Sequence, residues 1–119
     1  MTGTDIVTSR VREMLQDTNA AAYIWTDDLL LTFLKDASKF LYARLPESTF
    51  TGPTTIVDFV WSDLASLASN LPFDERYAEA LAYYICWRAL MQDGQDKRDL
   101  KRASDMARAF TAETGIVLT

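Results

Sequence analysis

The pattern of apolar and polar residues in the C-terminal part of the chain predicts a helical hairpin. Residues 74–92 contain so many apolar and aromatic side chains that a helix there cannot face water on most of its sides. Residues 96–114 combine a narrow apolar stripe with many charges, which is typical of a helix that buries one face. Asp74 and Asp96 are suitable N-caps for the two helices, and Gly94 suits the end of the first. We therefore expect a buried helix packed beside a more exposed one.

The N-terminal half of the chain is predicted to contain two more helices. Thr4 or Asp5 can cap the first, which ends at about Gln16 and carries its apolar residues on one side. The second follows Thr26 as its N-cap. It ends before Pro46, because proline lacks the backbone N–H that a continuing helix requires.

The middle segment, residues 54–70, fits two patterns. Val57, Phe59 and Trp61 alternate with their neighbours as in a strand, whereas other apolar residues recur at helical spacing. We favour a helix at about residues 62–69, preceded by irregular or extended chain.

Together these patterns predict an all-α fold. It is a small bundle of four to five helices in a single domain, residues 1–119, with a C-terminal helical hairpin and an extended C-terminal tail. A chain of this size buries roughly two-thirds of its unfolded surface, which is enough for an independent core. The predicted core residues are Leu30, Phe33, Leu34, Leu81, Ile85, Met106 and Phe110. The apolar tail Ile116-Val117-Leu118 follows a helix terminator, and we expect it to dock as an assembly element because a monomer has little means of burying it.

Composition argues against several classes of function. The net charge is -5, whereas a general nucleic-acid binder needs a basic surface. The chain has no histidine, which removes the commonest general base and most zinc sites. Its one cysteine, Cys86, cannot form an intramolecular disulfide, and we interpret it as a small buried apolar residue. No signal-peptide pattern and no apolar run of about 20 residues occurs, so we expect synthesis in the cytosol and no membrane association.

The charged residues offer candidate contacts but no catalytic apparatus. Asp27 and Asp28 lie in a predicted first turn, where acidic residues serve as caps and partners of the helix dipole. Arg88 lies mid-helix, where it either extends its charge to solvent or pairs with a carboxylate at an interface. A basic cluster on the last helix forms either a solvated face or a contact to an acidic partner or DNA; it comprises Lys97, Arg98, Lys101 and Arg102. We predict no catalytic residue, no cofactor site and no metal site.

Aromatic residues are concentrated on the predicted buried helix, at Tyr77, Tyr83, Tyr84 and Trp87. Tyr83 and Tyr84 point about 100° apart because they are adjacent on a helix. More than one side of this helix must therefore be covered, either by the domain itself or by a second subunit.

Two blocks of sequence resemble the adaptor proteins of tailed bacteriophages, also called head–tail connectors or head-completion proteins. The first block is Trp25-Thr26-Asp27-Asp28-Leu29-Leu30, followed by Phe33-Leu34-Lys35-Asp36-Ala37 and by Leu41-Tyr42-Ala43-Arg44-Leu45-Pro46-Glu47. The second block runs from Leu64 through Leu71-Pro72-Phe73-Asp74-Glu75-Arg76-Tyr77 to Arg88-Ala89-Leu90-Met91-Gln92-Asp93. Many relatives have a longer middle region with β-hairpin character, where this chain has only residues 48–61.

The resemblance implies a structural virion protein and not an enzyme. Such adaptors form a ring, commonly of twelve subunits, beneath the portal protein, where they extend the DNA channel and provide the docking surface for tail or nozzle proteins. DNA would pass without specific binding, and the protein would lie at the head–tail junction after assembly in the host cytoplasm. The candidate interface residues are Lys97, Arg98, Lys101, Arg102, Asp27, Asp28, Arg88, Ile116, Val117 and Leu118. The alternative is a small helical regulatory or DNA-associated protein that uses the basic cluster.

Overall fold

The computed structural model confirms an all-α fold for the part of the chain that it describes, which comprises residues 2–15, 25–44, 66–67, 71, 73, 75–92 and 97–118. The first helix, α1, spans residues 3–15 and consists of the α-helical turn Gly3–Ile6, the π-helical segment Val7–Val11 and the α-helical turn Arg12–Leu15. The other helices are α2 at Asp27–Arg44, α3 at Ala78–Gln92 and α4 at Lys97–Thr114, and the short 3-10 turn Glu75–Tyr77 leads into α3.

Helix α1 begins earlier than the sequence predicted. Its N-cap is Thr2, whose hydroxyl accepts a hydrogen bond from the Asp5 backbone N–H at 3.4 Å. The Asp5 carboxylate accepts one from the Thr2 backbone N–H at 2.9 Å, and this bond lowers the pKa of Asp5. Thr4 or Asp5 as the cap was therefore wrong, because Asp5 is the third residue of the helix and completes a reciprocal capping box.

The start of α1 lies directly against the backbone of Leu67. The Thr4 backbone N–H donates to the Leu67 carbonyl oxygen at 2.7 Å. A Cβ at the buried Gly3 would lie 2.9 Å from that oxygen and 2.9 Å from Leu34 Cδ2, closer than real Cβ contacts allow. Glycine at this position permits the close approach of the two backbones.

The predicted helix at residues 62–69 is wrong at the two positions that the structure describes. Ser66 and Leu67 form a bend and a turn. The carbonyl of Leu67 accepts a hydrogen bond from the Thr4 backbone N–H of α1. The rest of residues 54–70, except these two, lies outside the described residues, as do Asp74, Gly94 and Asp96.

Helix α2 has the predicted N-cap. The Leu29 backbone N–H donates to the Thr26 hydroxyl at 3.2 Å, which satisfies one of the free donors of the first turn. Asp27 and Asp28 follow in that turn, as expected for negative charges near the positive end of a helix dipole. The helix ends at Arg44, close to the predicted stop before Pro46.

Helix α3 is the centre of the molecule. It packs most extensively on α4 and also contacts α2 and α1. Its buried residues lie on more than one side of the helix, in agreement with the expectation, whereas Tyr83 and Trp87 are only partly buried. Tyr84 is 5% exposed and packs against Phe40 of α2, Phe110 of α4 and Trp87, with ring centroids 5.3, 5.9 and 5.5 Å away.

The predicted core is largely confirmed. Six of the predicted residues are buried in one apolar cluster: Leu30, Phe33, Leu34, Leu81, Ile85 and Phe110. Met106 is partly buried and packs at the edge of that cluster.

The C-terminal segment folds back onto the domain. Gly115 has φ = 76°, a left-handed conformation that glycine adopts without strain, and its N–H donates to the Thr111 carbonyl oxygen at 2.7 Å. Ile116 and Leu118 then pack against the core, whereas Val117 is 66% exposed. Two of the three apolar residues are therefore partly buried within the chain, although the sequence suggested that a monomer has little means of burying this segment.

Candidate functional site

A buried arginine fixes the start of α2 against α1. Arg12 is 2% exposed, its Nη1 donates to the Trp25 carbonyl oxygen at 2.7 Å, and its Nη2 pairs with Asp27 Oδ1 at 2.6 Å. The Trp25 indole N–H in turn donates to the Ala89 carbonyl oxygen at 3.3 Å, so α3 is tied to the same point. These bonds set the relative position of α2 and α3.

Two hollows lie side by side on the surface between α2 and α3. We call this surface the aromatic face and define it by Phe33, Phe40, Tyr84, Trp87 and Met91. The first hollow, about 140 Å³, lies between Phe40, Tyr84 and Trp87, with Arg44 and the tail residues Val117 and Leu118 at its border. The second is more open, measures about 380 Å³, and is lined by Phe33, Trp87, Arg88, Met91 and Gln92.

Trp87 is the shared wall of the two hollows. Its side chain is partly buried and borders both hollows. Met91 is 49% exposed at the far end of the second hollow. Tryptophan, tyrosine and arginine are the residue types most enriched among the side chains that dominate binding energy, so this composition is typical of an interface.

Two arginines give the aromatic face a positive border. The Arg88 guanidinium lies 5.5 Å from the Phe33 ring centroid and pairs loosely with Asp36 at 3.4 Å. The Arg44 guanidinium lies 5.1 Å from the Phe40 ring centroid, and no carboxylate in the described part of the chain pairs with it. Burial raises the pKa of Tyr84, with Arg88 opposing the shift, so the Tyr84 hydroxyl stays protonated at neutral pH.

Several of the predicted interface residues are engaged within the chain. Asp27 holds Arg12, Arg88 pairs with Asp36, and Arg102 Nη2 donates to the Met14 carbonyl oxygen at 3.2 Å. Each of these charges therefore has a partner within the chain.

The other predicted contact residues remain at the surface where they are described. Lys101 and Asp28 are exposed, and Val117 is the most exposed residue of the tail. The side chains of Lys97 and Arg98 lie outside the described residues.

Sequence reasoning identified Tyr84, Trp87 and Arg88 as notable but missed Arg12, Phe40 and Arg44. Phe40 and Arg44 are one turn apart on α2, a spacing that places both on one side of a helix and could have signalled a shared surface. Arg12 gave no such signal, because its burial depends on the Trp25 carbonyl, which is remote in sequence.

Cys86 is fully buried beneath α1, and its Sγ lies 3.8 Å from Met14 Sδ. Burial raises its pKa from the ordinary value of 9.0 to about 12. The thiolate is the reactive form of cysteine, so the folded chain should be nearly inert to alkylating reagents.

We expect Cys86 to resist iodoacetamide at pH 8 in the native protein and to react fully in denaturant, as measured by mass spectrometry of intact protein over time. A stabilising osmolyte slows labelling that requires unfolding. Rapid labelling of the native protein, at a rate that the osmolyte does not change, would therefore contradict the burial of Cys86.

The described residues contain no cluster of three cysteine or acidic side chains able to hold a metal ion. None of the helices in the described part of the chain is both long and apolar enough to cross a membrane.

Comparison of the chain with protein-family models, with curated protein sequences and with solved structures finds no match in any of the three.

Proposed function

We propose that this protein is a head–tail adaptor of a tailed bacteriophage, a structural subunit that forms a ring beneath the portal, extends the DNA channel and provides a docking surface for the tail. The observation that carries the proposal is the hydrogen bond from the Trp25 indole to the Ala89 carbonyl. It joins the two blocks of sequence that resemble the adaptor family, Trp25-Thr26-Asp27 and Arg88-Ala89-Leu90, within one buried framework.

The distribution of charge also supports the proposal. A net charge of -5 disfavours adhesion of DNA to the wall of a channel, since like charges repel. It likewise disfavours the alternative of a DNA-associated protein. That alternative loses further support from Arg102, a member of the basic cluster whose guanidinium contacts the Met14 carbonyl.

Contacts between neighbouring subunits would use the charges that remain at the surface. Lys101 of one subunit and Asp28 of the next are exposed, and no described ion pair of the chain involves either side chain. Such exposed pairs are each worth at most about 1 kcal/mol. Twelve of them on a symmetric portal would nevertheless act together, because the portal raises the effective concentration of subunits.

The proposal predicts that the ring forms only on the portal. Sedimentation of the free protein at micromolar concentration should show small species, and electron microscopy should show a ring only after addition of the portal protein of the same virus. Stable closed rings of free protein would contradict templated assembly, and absence of binding to the portal would contradict the adaptor role itself.

A charge exchange tests the lateral contact separately. Lys101→Glu and Asp28→Lys should each weaken ring formation on the portal, and the double variant should restore it because both members of the pair are reversed. Arg108→Glu is the matched control, since Arg108 is also exposed on α4 but pairs only weakly with Asp105 at 3.5 Å. Equal effects of Lys101→Glu and Arg108→Glu would exclude the contact.

A further inference from the structure

We infer that the aromatic face is a docking groove for an amphipathic helix of another protein, with two apolar anchors for the two hollows and acidic residues for Arg44 and Arg88. This inference goes beyond the adaptor role and does not depend on it. It rests on the geometry of the hollows, on the charge at their border and on what the described helices of this chain can offer as a partner.

The spacing of the hollows matches the spacing of side chains on a helix. On α3, Tyr84 lines the first hollow and Arg88 the second. These residues are about one turn apart, or about 6 Å along the helix axis at 1.5 Å per residue. On α2, Phe40 lines the first hollow and Phe33 the second, and these residues are about 10 Å apart along the helix axis. Two apolar side chains one or two turns apart on a partner helix, at i and i+4 or i and i+7, would enter one hollow each on either side of Trp87.

The charge at the border favours an acidic partner. Arg44 has no carboxylate partner among the described residues, and Arg88 has only the loose contact to Asp36. Acidic residues next to the apolar anchors would pair with both guanidinium groups. A basic partner is disfavoured by these arginines, and a nucleic-acid partner by the net charge of -5.

A second copy of this chain does not provide such a helix in its described part. The large apolar residues that are exposed there are Met91, Leu100 and Val117, and they lie on α3, on α4 and in the tail respectively. None of the described helices therefore presents two exposed apolar anchors one or two turns apart. The assignment of the groove to a different, acidic protein rests on the charge at its border.

The test uses the full chain and a synthetic helical peptide with leucines at i, i+4 and i+7 and glutamates beside them, followed by fluorescence anisotropy. A second peptide has lysine in place of each glutamate. We expect the glutamate peptide to bind the free protein and the lysine peptide to bind at least about tenfold more weakly, because the border is positive. Equal binding of the two peptides, or no binding of either at millimolar concentration, would overturn the inference.

Two pairs of matched variants locate the groove. Met91→Glu and Arg44→Glu should each weaken binding of the glutamate peptide about tenfold, and Arg44→Glu should improve binding of the lysine peptide. The controls Leu100→Glu and Arg108→Glu place the same charge on exposed residues of α4 and should change binding by less than about twofold. If the controls weaken binding as much as Met91→Glu and Arg44→Glu, the groove is not where the peptide binds.

Sedimentation of the unmodified protein and of the Met91→Glu variant tests the competing occupant. A monomer in both cases agrees with the inference. A dimer that Met91→Glu dissociates would assign the aromatic face to a second copy and overturn it. Because these measurements need no portal, their outcome is independent of whether the protein attaches to one.

Discussion

Replacing Arg12 by alanine should destabilise the protein by about 3 kcal/mol, the largest effect expected of any charged residue in the described part of the chain. The guanidinium is almost fully buried and bonds to the Trp25 carbonyl and to Asp27. Its removal leaves a buried carbonyl without this donor and a cavity between α1 and the start of α2. The side chain of Asp27 is 60% exposed, so water can solvate its carboxylate in the variant. The loss of stability is therefore at the lower end of the range for a broken buried ion pair.

Urea denaturation followed by circular dichroism measures this effect, and Arg108→Ala provides the control. The Arg108 side chain is 77% exposed and its contact to Asp105 is a surface ion pair, so its loss should cost less than about 1 kcal/mol. Arg12→Lys should recover only part of the stability, because an ammonium group cannot hold the two acceptors in the same planar geometry. If the Arg12→Ala and Arg108→Ala variants were equally stable, the buried hydrogen bonds of Arg12 would make no net contribution to the free energy of unfolding.

The sequence predicted the helices well where local signals determine them. Thr26 begins α2 and Gly115 ends α4, each through hydrogen bonds to residues only a few positions away. The start of α2 and the end of α4 therefore followed from the sequence. The cap of α1 was misplaced because Thr4 and Asp5, the predicted candidates, lie inside the helix. Threonine and aspartate favour N-cap positions in general, and the sequence did not show that Thr2 is the N-cap and Asp5 its partner in the capping box.

The site was less predictable because it depends on contacts between distant parts of the chain. The aromatic content of α3 indicated that several of its sides are covered, and this proved correct. Which side stays open follows from the position of α2, which Arg12 and Trp25 fix through bonds that span 13 to 64 residues. Ile116 and Leu118 pack on the core because α4 ends close to it. No local sequence pattern indicates that the tail then borders the hollow beside Tyr84.

Leu34→Ala and Leu81→Ala should each destabilise the protein by about 2–5 kcal/mol. Both side chains are fully buried, Leu34 on α2 and Leu81 on α3, so truncation removes apolar contacts and leaves a cavity. For Leu34 the loss extends to the start of α1, because its Cδ2 lies 2.9 Å from the position that a Cβ on Gly3 would take. Leu100→Ala is the matched control: Leu100 is 42% exposed on α4, and its truncation should cost less than about 1 kcal/mol. Thermal unfolding followed by circular dichroism should show a clearly lowered midpoint for each of the two core variants and almost no change in the midpoint of the control. An unchanged midpoint for both core variants would mean that α2 and α3 do not share the apolar core on which the aromatic face depends.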